Sequence, residues 1–441
     1  MILVDSALQF RENTDNPIQV GLVGAGFISA GLVNQIERYV PGMRIAAIAN
    51  RTTSNAAQCY QQVGINDISY VDDPEAIDIN IELNKYSVCP DPAFLCASSK
   101  IDIVVEATGT IDYATQVVLT AIEYQKPILL FNPEVDATLG PILKHYADQA
   151  GVIYSQSDGD QPGVIMNQYR FVKGLGLQPL VCGNIKGFLD RHKNPSDMAD
   201  YAKRVKNSPN MITSFTDGTK VNFEQANVAN STGMGVSRRG MSAHRSTKHI
   251  DDLTSFYDVD QLRESGGIVD YIVGPKPSPG VYVFATAEDS MSRDYLNYLK
   301  MGKGPLYSFY APYHLCPLEI PSSIARVAHF NDPVMIPLGK PVVEVVSIAK
   351  KDLKAGETLD GIGGYCCYGE CENSSVRQSE NLLPIGLADG VVLKRDIRQD
   401  QALTFDDIEL PDDRLTYRLY EQQQNMSLES KKHKAPEIQV Q

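Results

Sequence analysis

Short, nearly unbroken apolar runs recur along the first third of the chain, each followed by a stretch with apolar residues three and four apart. Ile18–Val23, Met43–Ala49, Asp102–Gly109 (running into a Gly/Thr loop), Lys126–Phe131 and Val152–Ser155 read as strands. The segments 27–39, 53–64, 111–124 and 138–150 between them read as helices. Strands that are apolar throughout, rather than alternating, must be covered on both faces, which is the pattern of a parallel, doubly wound sheet. Residues 72–100, charged and interrupted by Pro90 and Pro92, read as a helix and a loop before the next strand. Beyond 156 the texture changes. Val181–Gly187 reads as a strand ending on a lysine between glycines, 222–230 has a helical period, 268–285 reads as two strands around a Gly/Pro loop, and Val342–Ala349 is a late strand.

The first strand runs into Gly24-Ala25-Gly26-Phe27-Ile28-Ser29. Gly24 suits a tight turn, Gly26 leaves room for a pyrophosphate, and a helix opening at Phe27 and Ile28 would aim free N–H groups at it. Ser29 stands at the third fingerprint position, where Gly is usual. About 20 residues on, a dinucleotide site reads the ribose. That place holds Asn50 and Arg51, followed by hydroxyl residues, with no acid. An arginine among hydroxyls suits a 2′-phosphate, so NADP (NADPH) is the expected cofactor. Thr108, Gly109 and Asn132 end the later strands and are placed beside the nicotinamide.

Composition narrows the class. The 441 residues are 43% hydrophobic and 21% charged, enough for several globular cores, and the net charge is −14. That balance speaks against nucleic-acid binding and against an anionic membrane surface. No leader or membrane-length apolar run is read, so the expectation is a cytoplasmic protein with a small-molecule substrate, no membrane or nucleic-acid partner, and a homo-oligomeric state. The eight cysteines are expected to be reduced, and Cys366, Cys367 and Cys371 read as small thiols buried in a turn-rich loop.

Candidate chemistry lies after the nucleotide fold. Lys186 ends a strand between glycines, Lys220 stands four residues before Glu224, and Asp160 sits in an acidic turn. Lys186 is assigned alkoxide or enolate stabilisation, with Lys220 and Glu224 sharing proton handling and Asp160 orienting a lysine or capping the helix after it. Arg238, Arg239 and His244 concentrate cations in a Gly/Ser loop and read as a phosphate cradle. A divalent metal could take over part of the charge stabilisation; no metal ligands are assigned.

The glycine fingerprint, Asn132-Pro133-Glu134-Val135-Asp136 and Gly159-Asp160-Gln161-Pro162 resemble homoserine-dehydrogenase-like oxidoreductases that carry a C-terminal SAF domain. Lys351-Asp352-Leu353-x-x-Gly356 and Arg395-Asp396-Ile397 resemble that SAF module. One branch of the family resembles 1-deoxy-D-xylulose 5-phosphate reductoisomerase in activity. This implies an NADPH-dependent step to 2-C-methyl-D-erythritol 4-phosphate in isoprenoid biosynthesis. A homoserine dehydrogenase and a non-catalytic dinucleotide sensor are the competing expectations.

The expected fold is α/β: an N-terminal Rossmann doubly wound domain, a central α+β catalytic domain and a C-terminal β-rich SAF-like domain. The boundaries read are an arm at 1–16, the Rossmann domain at 17–155, the catalytic domain at 156–340 with 317–335 packing back on the first, the SAF-like domain at 341–415 and a polar tail at 416–441.

Overall fold

The computed structural model describes residues 2–411 and 413–426. Seven strands form the first sheet: β1 (Ile18–Val23), β2 (Met43–Ala49), β3 (Ile68–Tyr70), β4 (Tyr86–Cys89), β5 (Ile103–Glu106), β6 (Ile128–Leu130) and β7 (Tyr154–Gln156). Their order is β3-β4-β2-β1-β5-β6-β7, and all pairings are parallel. Every residue of β2, β5 and β6 is buried, as apolar runs covered by helices on both faces require. The strand order reverses between β1 and β5, so the carboxyl ends of these two strands open a crevice at the switch point.

The short strand β4 falls within 72–100, read as helix and loop, and β3 falls between the segments read as 53–64 and 72–100. With three and four residues they are too brief to show a period; β3 is the edge strand and β4 joins it to β2. The N-terminal arm is a helix, Ile2–Asn13. It packs on the helix Ile320–Phe330, whose Ile320 and Ile324 join Ile18, Val20 and Leu22 in one core.

A second, mixed sheet contains β8 (Gln178–Lys186), β9 (His244–Arg245), β10 (Ile268–Val273), β11 (Gly280–Thr286) and β12 (Tyr307–Ala311), in the order β12-β11-β8-β10-β9. The helices Gln161–Gly174 and Thr219–Thr232 pack against it. The second of these is buried from Thr219 to Ser231, because a further layer covers its outer side.

That layer is the C-terminal module. Its main hairpin pairs β13 (Val343–Ala349) with β14 (Cys367–Asn373) along their whole lengths. Cys367 and Cys371 are therefore strand residues rather than loop thiols, though all three cysteines of the cluster are buried. β15 (Val392–Leu393) and β16 (Ile408–Glu409) form a smaller pair. The repeated sequence elements meet: the Leu353 N–H donates to Ile397 O at 2.8 Å and the Ile397 N–H donates to Leu353 O at 3.0 Å.

Residues 415–425 correct the polar-tail reading, for they form a helix. Gln423 is fully buried. Pro141 interrupts the hydrogen bonding of the helix Pro133–Ala150. The Gln423 amide enters that gap, accepting from the Ile142 N–H at 3.2 Å and donating to Thr138 O at 3.0 Å. The rest of the expected tail, 427–441, lies outside the described residues.

Candidate active site

Gly24 ends β1 with φ +105°, and a Cβ there would lie 2.9 Å from the Ala107 carbonyl oxygen. Only glycine joins β1 to the helix Phe27–Tyr39 at this distance from β5. A Cβ on Gly26 would meet nothing within 4 Å, so the turn is open on the side a pyrophosphate would approach. Gly26 caps the helix without a side-chain hydrogen bond, which leaves the first-turn N–H groups available. Phe27 is exposed, Ile28 half-buried and Ser29 buried. After β2, Asn50 donates from its side chain to Thr52 O at 2.8 Å, while Arg51 projects into solvent before a helix whose cap Thr52 makes no side-chain bond. These residues fit a phosphorylated dinucleotide.

At the neighbouring strand ends, Glu106 is fully buried and accepts from the Thr108 N–H at 2.7 Å. Burial raises its pKa to about 7 against these hydrogen bonds. Gly109 takes φ +74°. Asn132 is placed differently from the expectation. It is fully buried, donating to Glu106 at 3.2 Å and Thr110 O at 3.1 Å while accepting from the Val135 N–H at 3.3 Å. All its polar atoms are engaged in bracing one loop against another.

Lys220 belongs to the helix itself, which begins ahead of the period read from 222. It lies in the first turn of the buried helix, with its Nζ 3.2 Å from Glu134 and 3.5 Å from Asp160. Burial alone would drive the ammonium toward neutrality. The carboxylates of Glu134, Asp160 and Glu224 outweigh that and raise its pKa above the ordinary lysine value. One turn on, Glu224 accepts from Asn184 Nδ2 at 2.7 Å. Its burial, reinforced by Asp160, pushes its pKa to about 8 although Lys186 and Lys220 pull it down. Lys186, half-buried at the end of β8, thus acts on the charge of Glu224, and it also depresses His314 alongside that residue's burial. The structure brings Asp160, Lys186, Lys220 and Glu224 into one cluster. Asp160 also caps its helix, accepting from the Gln161 N–H at 3.0 Å.

Four further residues complete this cluster: Glu134, Gln161, Asn184 and His314. Asn184 donates to Gln161 as well as to Glu224 and accepts from Gln225 at 2.9 Å, and the Gln161 amide meets His314 Nε2 at 3.1 Å. Glu134 carried a signal in the quoted 132–136 motif, but an acid in a first helical turn is an ordinary feature. Nothing local marks Asn184 or His314. Asp160, His314 and Cys316 gather three donor atoms within 4.8 Å. The Cys316 thiol donates to Gly159 O, a contact a cation would have to displace, while His314 Nδ1 faces the Cys316 sulfur at 3.9 Å and Nε2 is paired with Gln161.

The three expected phosphate binders are not gathered here. Arg238 folds onto its own loop, donating to Met241 O at 3.0 Å and Ser242 O at 2.7 Å. Arg239 pairs with Glu372 at 2.8 Å and with Glu380. His244 pairs with Ile272, which in turn lies beside Ile185. Side chains alternate along a strand, so His244 shares the Ile185 face, opposite Asn184 and Lys186. It stacks there on Phe256 and Tyr257, with ring centroids 4.8 and 5.6 Å away.

Residues 159–320 match the family model described as oxidoreductase DRL, catalytic domain. The chain is an oxidoreductase. The matched span holds Asp160, Lys186, Lys220, Glu224 and His314. Similar solved structures include a probable dehydrogenase from Thermotoga maritima, with TM-score 0.38 and 11% identity over 71% of this chain and 90% of that one. A putative myo-inositol dehydrogenase from Sinorhizobium meliloti gives TM-score 0.36 and 11% identity over 71% and 87%. A DOX-P reductoisomerase with fosmidomycin and magnesium gives TM-score 0.33 and 14% identity over 47% and 56%. No curated protein matches the chain. No helix among the described residues is long and apolar enough to cross a membrane.

Proposed function

We propose that the protein is an NADPH-dependent oxidoreductase that reduces the carbonyl of a small polyhydroxylated substrate, with 1-deoxy-D-xylulose 5-phosphate as the first candidate. The observation that carries this reading is the buried Lys220 ammonium held by Glu134 and Asp160, one helical turn from a glutamic acid with a pKa of about 8. Glu134 and Asp160 follow β6 and β7, at the same sheet edge as the glycine turn. The dinucleotide would bind along Gly24, Gly26 and Arg51 and supply the hydride. Lys220 stabilises the oxygen that gains negative charge. Glu224, protonated at pH 7, gives its proton to that oxygen. Asn184 holds the Glu224 carboxyl in place, and Lys186 supplies a second cation at the site. With Arg238 and Arg239 engaged elsewhere, Lys186 is also the side chain left to meet a phosphate.

The charge count favours one second reading. In the direction of oxidation Glu224 must instead be the unprotonated base, and Glu134, Asp160 and Glu224 then outnumber Lys186 and Lys220, a balance that would suit a substrate with its own ammonium group, as in a homoserine-type dehydrogenase. NADPH binding is read by fluorescence quenching. Turnover is read by nicotinamide absorbance with 1-deoxy-D-xylulose 5-phosphate and, in the reverse direction, with homoserine and NADP, each with and without Mg²⁺. NADPH loss with the keto-sugar supports the first reading; homoserine oxidation replaces it by the second. Binding without turnover on either removes both substrates and leaves the cofactor.

A further inference from the structure

The helix Thr219–Thr232 presents Lys220 and Glu224 to the site and a different set of side chains to the C-terminal hairpin. The Gly369 N–H donates to Thr219 Oγ1 at 2.9 Å, and the Cys371 N–H donates to Asn222 Oδ1 at 2.7 Å. Near the other end, Asn230 Oδ1 accepts from the Val342 and Val343 N–H groups at 2.7 and 3.1 Å. The hairpin is thus bonded to the helix through its own backbone, along the helix's length. Gly369 permits the approach: a Cβ there would sit 2.7 Å from Val345 Cγ1 and 3.1 Å from Thr219 Cγ2.

The same module controls the start of the helix. Lys350 directly follows β13, and its ammonium lies 2.8 Å from Asp217 Oδ2 and 2.7 Å from the Gly364 carbonyl. Both partners of the ion pair are buried, with side-chain exposures of 2% and 0%. The other Asp217 oxygen accepts from the Thr219 N–H at 2.8 Å. Asp217 therefore fixes the first turn on which Lys220 stands, and Lys350 is the cation that lets it do so as a carboxylate in a dry environment.

We propose that the C-terminal hairpin is a jig for the active-site helix, and that Lys350 is a positioning residue for Lys220, acting through Asp217. This rests on the reading of Lys220 as the charged centre of the site. Without Lys350, Asp217 must either take up a proton or turn toward water. Either change loosens the Thr219 cap and moves Lys220 out of reach of Glu134 and Asp160. A lysine freed from two carboxylates loses its proton at lower pH. Among the described residues the Lys220 ammonium bonds to Glu134 and Asp160 and to no residue of the hairpin, so this effect requires transmission through the helix.

The test needs no substrate. The full-length protein is acetylated with acetic anhydride across a pH series, and Lys220 is followed by mass spectrometry. Lys350→Met is expected to lower the pH of half-labelling by about one unit, a tenfold rise in free amine at a given pH. Lys350→Arg should restore the wild-type value, and NADPH quenching should be unchanged in both. Thr219→Val is isosteric, removes the Oγ1 acceptor of the Gly369 N–H and leaves Lys350 in place; it should shift Lys220 in the same direction by less, and it carries the test if Lys350→Met does not fold. An unchanged half-labelling pH in folded Lys350→Met, or in folded Thr219→Val where that variant stands in, overturns the proposal. A wild-type Lys220 that labels together with surface lysines overturns the charged-centre reading itself.

Discussion

The glycine turn and the ion cluster both serve the carboxyl edge of the first sheet, and they are made differently. The turn is backbone geometry within a few consecutive residues: Gly24 at positive φ, Gly26 without a Cβ, and a helix start with free N–H groups. The cluster draws side chains from separate segments around Glu134, Asp160, Asn184, Lys220 and His314. The turn can be damaged by adding atoms, whereas the cluster is damaged by removing a charge. A backbone site tolerates changes elsewhere in the chain; a side-chain site depends on every layer that holds its members in place.

Lys220→Met should break the comparison most sharply. It leaves Glu134 and Asp160 without their shared cation, at a cost of about 3–5 kcal/mol in stability. Turnover on whichever substrate is established should fall by roughly 10²–10³, the scale of losing one donor to a developing oxyanion. NADPH quenching should be retained. A variant that keeps its rate would remove Lys220 from the reaction.

Gly24→Val should do the reverse. Its Cβ would meet the Ala107 carbonyl at 2.9 Å in a backbone conformation that valine avoids. Dinucleotide binding should be lost, while the high half-labelling pH of Lys220 persists. Loss of both properties would mean that the two regions are one cooperative unit.

The pH dependence separates the regions next. Glu224 must carry its proton to act as an acid, so the reduction rate should fall as pH rises through about 8, and Glu224→Gln should be slow with no such limb. Stability has a related sign. Asp136, buried and hydrogen-bonded by Tyr154, is raised to about 7, above its unfolded value of roughly 3.9. The folded state holds the extra proton, so this group's contribution is greatest below the unfolded value and is lost as pH rises through 7. Melting curves of Asp136→Asn against wild type at pH 5 and pH 8 should show the wild type losing more ground at pH 8.

Smaller effects sharpen the edges. Arg51→Ala should weaken NADPH about tenfold and leave NADH unchanged, since Arg51 is assigned to the 2′-phosphate alone. Arg239→Ala should alter turnover least, because its guanidinium is already spent on Glu372 and Glu380.

The turn was legible because its causes are local. Apolar runs that must be covered on both faces, glycines at a strand end and a helix immediately after them specify a doubly wound unit wherever the rest of the chain goes. Even so, three- and four-residue strands such as β3 and β4 were hidden, since a period cannot be read in so few positions. Lys186, Lys220, Glu224 and Asp160 could be nominated one by one from residue type and loop context. That they meet could not be read, nor that Glu134, Asn184 and His314 join them. Two positions show why. His244 was a reasonable phosphate ligand by composition, but strand alternation and the pairing of β9 with β10 turn it to the far face. Gln423 belonged to a stretch polar enough to pass for a tail, yet its amide fills the hydrogen-bonding gap beside Pro141, 282 positions earlier in the numbering (423 minus 141). Sequence alone determined five of the seven strands of the first sheet and where its backbone opens for a ligand, because those outcomes depend on neighbours in the chain. Tertiary structure decided which charges share one buried volume and which side chains are already spent, because burial and pairing depend on neighbours in space.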